Sequence, residues 1–219
     1  IVLIVTGGSP IALGEVEDMC GLAIFVWNPG MEGGKAVADV LFGDISPAGK
    51  LPLTFPKSLD QLPAFDDYSM EGRTYRYMTE EPLYPFGFGL SYSTFEYADL
   101  KLDKSEIAAG DSLNVSLTVR NTGDRIAPEV AQFYLSDLEA STIVPLRHLV
   151  GFERVELEPG ESRTLKFTIT PEMMSFFDDE GKLTLEPGKF RLEVGGCSPG
   201  KRGQELGAPV PVTGILTVN

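Results

Sequence analysis

Residues 66–81, DDYSMEGRTYRYMTEE, hold the chain's densest set of groups able to do chemistry. Tyr68, Arg73, Tyr75, Arg76 and Tyr77 combine flat stacking faces with forked guanidinium donors. That pairing suits a sugar, and it equally suits an ordered interface loop. Asp66, Asp67 and Glu71 add carboxylates, but adjacent loop acids are usually solvated, so they read as a wet face.

Other constellations are weaker. Ser9 sits in TGGSP, without the G-x-S-x-G turn or a neighbouring histidine that would activate it. The single histidine, His148, reads as decoration of a strand or loop rather than a base. One histidine and two distant cysteines cannot build a zinc site, and no calcium-loop signature occurs. The GMEGG run, Gly30 to Gly34, lies between a strand and a helix, where backbone N–H groups can hold an anion. It matches neither the dinucleotide fingerprint nor a P-loop. Glu32 is expected to cap the helix start or to pack at an interface, with a direct substrate contact as the lesser reading. Trp27 reads as the end of a core strand, with a sugar platform as the lesser reading.

A net charge of −14 argues against a nucleic-acid partner. No apolar run reaches the roughly 18–20 residues of a membrane-crossing helix. IVLIVTGG has neither the charged start nor the cleavage site of a signal peptide. The first residue is not Met and falls inside an apolar strand, so the expectation is a portion of a longer protein. Cys20 and Cys197 fall in different units, which makes a disulfide between them unexpected.

The elements divide the chain in three. Over residues 1–65, the apolar runs IVLIVT and GLAIFVW read as parallel strands buried on both faces. Ile11 to Met19 and Glu32 to Phe42 have helical spacing, with Gly43 as a cap, and Lys50 to Phe55 reads as extended. This is an α/β pattern, yet two parallel strands are too few for a stable domain. The remaining strands are expected from upstream residues or another chain. Residues 66–95 form an interface loop and an aromatic connector, PLYPFGFGLSYSTF. It is too apolar for a free linker and too broken by glycine and proline for a helix. Over residues 96–219 the period becomes two. About seven strand-like runs, parted by turns such as Asn121-Thr122-Gly123 and Glu158-Pro159-Gly160, predict an all-β sandwich. PEMMSF is expected to make one helical turn.

With these residues in view, the chain resembles the C-terminal part of a glycoside hydrolase family 3 enzyme, of β-glucosidase or β-xylosidase type. GLAIFVWNPGMEGGKAVADVLFGDISPAGKLPLTFPKSLDQLP resembles the end of the family's α/β sandwich domain. EGRTYRYMTEEPLYPFGFGLSYSTFEY resembles its connector. RHLVGFERVELEPGESRTLKFTIT and PGKFRLEVGG resemble its fibronectin type III-like domain. The resemblance implies a retaining exo-glycosidase, acting on terminal β-linked glucose or xylose through two carboxyl groups about 5–5.5 Å apart. It places the nucleophilic aspartate on an upstream barrel and the acid/base glutamate upstream of Ile1. No catalytic residue, metal or cofactor is therefore expected in this chain. Substrate contacts are assigned to Tyr68, Glu71, Arg73, Tyr75 and Arg76. The implied partners are an oligosaccharide and the upstream barrel and sandwich segment, on the same or a separate polypeptide. A homo-oligomer stays open, and periplasm or secretion are both compatible. The alternative reading is a non-catalytic module for carbohydrate binding or dimerisation.

Overall fold

The computed structural model describes all 219 residues. Strand β1 (Val2–Thr6) pairs in parallel with β2 (Leu22–Trp27). Helix α1 (Gly33–Leu41) follows the Asn28-Pro29-Gly30 turn. Gly33 can only be glycine here, because a Cβ on it would lie 2.6 Å from Pro29. The expected helix over Ile11 to Met19 is a single 3₁₀ turn, Gly14–Val16, since Gly14 has a φ of +56°. Of Lys50 to Phe55, only Phe55 makes a bridge, to Tyr84; Pro52 has no N–H to give a neighbouring strand.

β1 and β2 differ from expectation in burial. They form a two-stranded sheet, and Val2, Ile4 and Leu22 are exposed. A parallel sheet needs cover on both faces, which these residues do not supply.

After a short helix α2 (Thr74–Tyr77), the sandwich begins with β3 (Phe95–Leu102). Then come β4 (Glu106–Ile107), β5 (Leu113–Asn121), β6 (Ala127–Asp137), β7 (His148–Leu157) and β8 (Ser162–Ile169). One turn of helix, α3 (Pro171–Met174), precedes the hairpin β9 (Phe176–Phe177) and β10 (Leu183–Thr184). β11 (Gly188–Gly195), α4 (Lys201–Glu205) and β12 (Val212–Val218) complete the chain. A five-stranded sheet, ordered β4-β12-β11-β6-β7, faces a three-stranded sheet, β3-β5-β8. Alternation does the work the sequence promised. Leu113, Val115, Leu117 and Val119 of β5 point into a core shared with Phe133, Leu135, Phe190 and Leu192.

Strand β6 departs from alternation. Its odd-numbered Ala131, Phe133 and Leu135 enter the core, while even-numbered Gln132 and Tyr134 are buried on the opposite face. What covers that face is the connector.

Candidate functional site

The 63–77 loop is built around one guanidinium. Arg73 Nη2 donates to the carbonyls of Ala64 (2.7 Å) and Asp67 (3.0 Å), drawing the loop into a closed piece. Asp67 Oδ1 accepts the Ser69 N–H at 2.9 Å, an Asx turn that holds its carboxyl below the usual carboxylate range. Met70, Gly72 and Thr74 sit at φ of +66°, +72° and +56°, alternate left-handed residues that turn the chain toward α2. Tyr68, 85% exposed, shares a shallow cavity of about 280 Å³ with Phe65, Asp67, Met70 and Arg73.

The five residues assigned to substrate thus separate by surroundings. Tyr68, Glu71 and Arg76 present exposed side chains. Arg73 holds loop carbonyls, and Tyr75 is half-buried, its hydroxyl accepting the Leu149 N–H at 3.1 Å. Asp66, Asp67 and Glu71 are all exposed.

Behind the loop lies the junction. Tyr75 stacks on Phe86 with centroids 4.3 Å apart, and both rings meet the edge or face of Tyr134. Gln132 Nε2 donates to the carbonyls of Gly87 (3.0 Å) and Gly196 (2.7 Å). Its Oε1 accepts the Tyr134 O–H at 2.6 Å, so this buried amide is satisfied on both ends. Gly87 has a φ of +76°, and a Cβ there would lie 2.0 Å from Gln132 Oε1. Lys50, from the α/β unit, reaches Glu129 of β6 at 3.2 Å and the Gly89 carbonyl at 2.9 Å. Tyr97 O–H donates to the same carboxylate at 2.9 Å. Burial raises the Glu129 carboxyl, against the pull of Lys50, and pushes the nearby Cys197 thiol up to about 11. Cys20 and Cys197 are both free thiols.

The connector's apolar residues close a second core. Phe55, Leu83, Tyr84, Phe88 and Cys197 are buried together, with Phe25 and Trp27 against them from one unit and Leu206 and Ala208 from the other. Backbone bonds stitch the same seam: Leu51 N–H to Phe88 O, Gly87 N–H to Leu51 O and Ser198 N–H to Phe86 O, each 2.8 Å.

A further surface is the carboxyl end of the parallel pair, where open α/β sheets bind ligands. Gly7 N–H donates to Trp27 O at 3.1 Å, which brings the TGGSP and WNPGMEGG loops together. Trp27 ends β2 at a φ of +50° and packs edge-on to Phe55, as the core reading expects. The capping expectation for Glu32 is corrected. Glu32 occupies the cap position, but its side chain makes no cap bond and stays exposed beside the fully exposed Met31. With φ −90° and ψ 9° its backbone is not in the extended conformation that aims a capping side chain at the first turn.

Residues 1–92 match the glycosyl hydrolase family 3 C-terminal domain, and residues 129–198 match a fibronectin type III-like domain. The chain belongs to glycoside hydrolase family 3, as its C-terminal part. The periplasmic β-glucosidase of Salmonella typhimurium is 40% identical over 89% of the chain, which covers 27% of that protein. The xylan 1,4-β-xylosidase of Xylanibacter ruminicola is 42% identical over 90% of the chain, which covers 23% of that protein. The β-glucosidase of Listeria innocua in complex with isofagomine superposes with a TM-score of 0.83 at 33% identity, over 99% of this chain and 31% of that one. The chain spans about a quarter to a third of the length of the relatives it matches. The α/β unit followed by a β-sandwich is the fold these matches call for.

Sequence reasoning passed over Gln132, Tyr134 and Glu129. The signal was present: EVAQFYLSD puts glutamate and glutamine inside an otherwise apolar strand, and buried polar groups of that kind have partners.

Proposed function

We propose that this chain is the C-terminal portion of an exo-acting retaining β-glycosidase that removes terminal β-linked glucose or xylose from oligosaccharides. The observation that carries the reading is the ordered pair of family domains in a chain spanning 23–31% of relatives named β-glucosidase or β-xylosidase. In a retaining reaction one carboxylate attacks the anomeric carbon while a second group protonates the leaving oxygen, then deprotonates the water that frees the sugar. On this reading both carboxyl groups come from the barrel and upstream sandwich segment, on the same or a separate polypeptide. The acids of the 66–77 loop all lie exposed on the surface.

Three pieces then share the work. Residues 1–65 complete the α/β unit, and the exposed apolar face of β1 and β2 receives its missing cover from upstream. Residues 66–95 form a wall beside the sugar, where Tyr68, Glu71 and Arg76 reach outward while Arg73 and Tyr75 hold the loop's shape. Residues 96–219 are the fibronectin type III-like platform. The test is stereochemical. Early NMR spectra of the complete enzyme acting on an aryl β-glucoside or β-xyloside show the β-anomer of the released sugar first. The α-anomer appearing first contradicts the reading.

A further inference from the structure

We infer that the fibronectin type III-like module positions the 66–77 loop for substrate, through Tyr134 acting on Tyr75. This deepens the function proposed above and rests on it. The loop is closed on itself by Arg73, so it moves as one piece. Its hydrogen bonds to the sandwich come from two consecutive residues, while the Tyr75 N–H donates to Thr54 Oγ1 of the α/β unit at 2.9 Å. Tyr75 O accepts the Leu149 N–H at 3.1 Å, and the Arg76 carbonyl accepts the Leu146 N–H at 2.7 Å. The Tyr75 ring fits between Phe86, stacked at 4.3 Å, and Tyr134, edge-on at 5.9 Å. Tyr134 cannot shift to follow a moving loop. It has no exposed surface, and its hydroxyl is tied to Gln132, which grips two backbone carbonyls of separate segments. The direction of control therefore runs outward. The rigid β6 sets the ring, the ring sets Tyr75, and Tyr75 sets where Arg76 and the exposed loop stand. Tyr134 is a positioning residue, since nothing at its depth can touch a sugar.

The experiment uses the complete enzyme with Tyr134→Leu and the conservative Tyr134→Phe, assayed with an aryl β-glycoside well below their melting temperatures. Hydrogen exchange of the loop amides is followed in parallel. Tyr134→Leu is expected to speed exchange at residues 66–77 while β5 and β8 stay protected. It is expected to raise KM by about five- to tenfold, with kcat within about twofold. Tyr134→Phe keeps the ring and is expected to restore most of the KM. Unchanged loop exchange in Tyr134→Leu overturns the positioning role. Faster loop exchange with an unchanged KM overturns instead the reading of the loop as a substrate wall. A fall in melting temperature with neither effect leaves Tyr134 a packing residue and also overturns the inference.

Discussion

At the scale of single residues, the junction is decided by groups with no freedom to change. Gly87 needs both its left-handed backbone and its missing Cβ, because Gln132 occupies the space. Gly87→Ala is expected to cost about 2 kcal/mol or more from strain and overlap together, read from a denaturant curve. Lys50 is the partner that makes a carboxylate at Glu129 tolerable, with that side chain 2% exposed. Lys50→Met leaves the charge buried beside Tyr97 alone, and a loss of about 3–5 kcal/mol is expected. His148 gives a pH signature. Burial and the nearby Arg76 charge outweigh its bond to the Met173 carbonyl and hold its pKa below 6.5. A depressed histidine contributes stability that is complete above its unfolded pKa and is lost as pH falls through its folded one. Stability of the native chain should therefore decline as pH drops below about 6.5, and His148→Gln should flatten that part of the profile. An identical slope in the variant would remove His148 from the explanation.

At the scale of elements, the connector and β6 behave as one unit although Phe88 and Ala127, the first residue of that strand, are far apart in sequence. Phe88 is buried between the two bodies, whereas Phe86 is half-buried against Tyr75. Phe88→Ala is expected to destabilise by about 3–5 kcal/mol, and Phe86→Ala by about 1–3 kcal/mol, by thermal melting of each variant. Equal effects would mean that the two rings share one environment, against the geometry. Much of this was legible in the sequence. Five aromatics in PLYPFGFGLSYSTF required apolar neighbours on both sides, and alternation in LNVSLTV required a wet and a dry face. Burial of both faces of β6 was not legible from period alone, because its outer cover comes from a distant segment. The Glu32 cap failed for a different reason. Glutamate is not among the side chains that favour the cap position, and at φ −90° and ψ 9° its backbone is not in the extended conformation of a capping residue. For the candidate loop, the sequence supplied residue types suited to a sugar. It did not reveal that Arg73 and Tyr75 are occupied by backbone groups.

At the scale of the whole molecule, the sandwich has a buried core of its own, whereas the α/β unit leaves its sheet open. Twenty-one buried residues form the sandwich core, whereas β1 leaves Val2 and Ile4 open on a two-stranded sheet. An apolar sheet face of that kind marks a contact surface. Its occupant on the present reading is the upstream segment that carries both catalytic carboxyl groups. The most direct measurement is hydrolysis of aryl β-glucoside and β-xyloside by the purified 219-residue chain, folded by circular dichroism, beside the complete enzyme at equal concentration. The expected result is turnover by the complete enzyme and none above blank by the chain. Turnover by the chain alone would place the catalytic carboxylates within these residues and contradict the division of labour proposed for them.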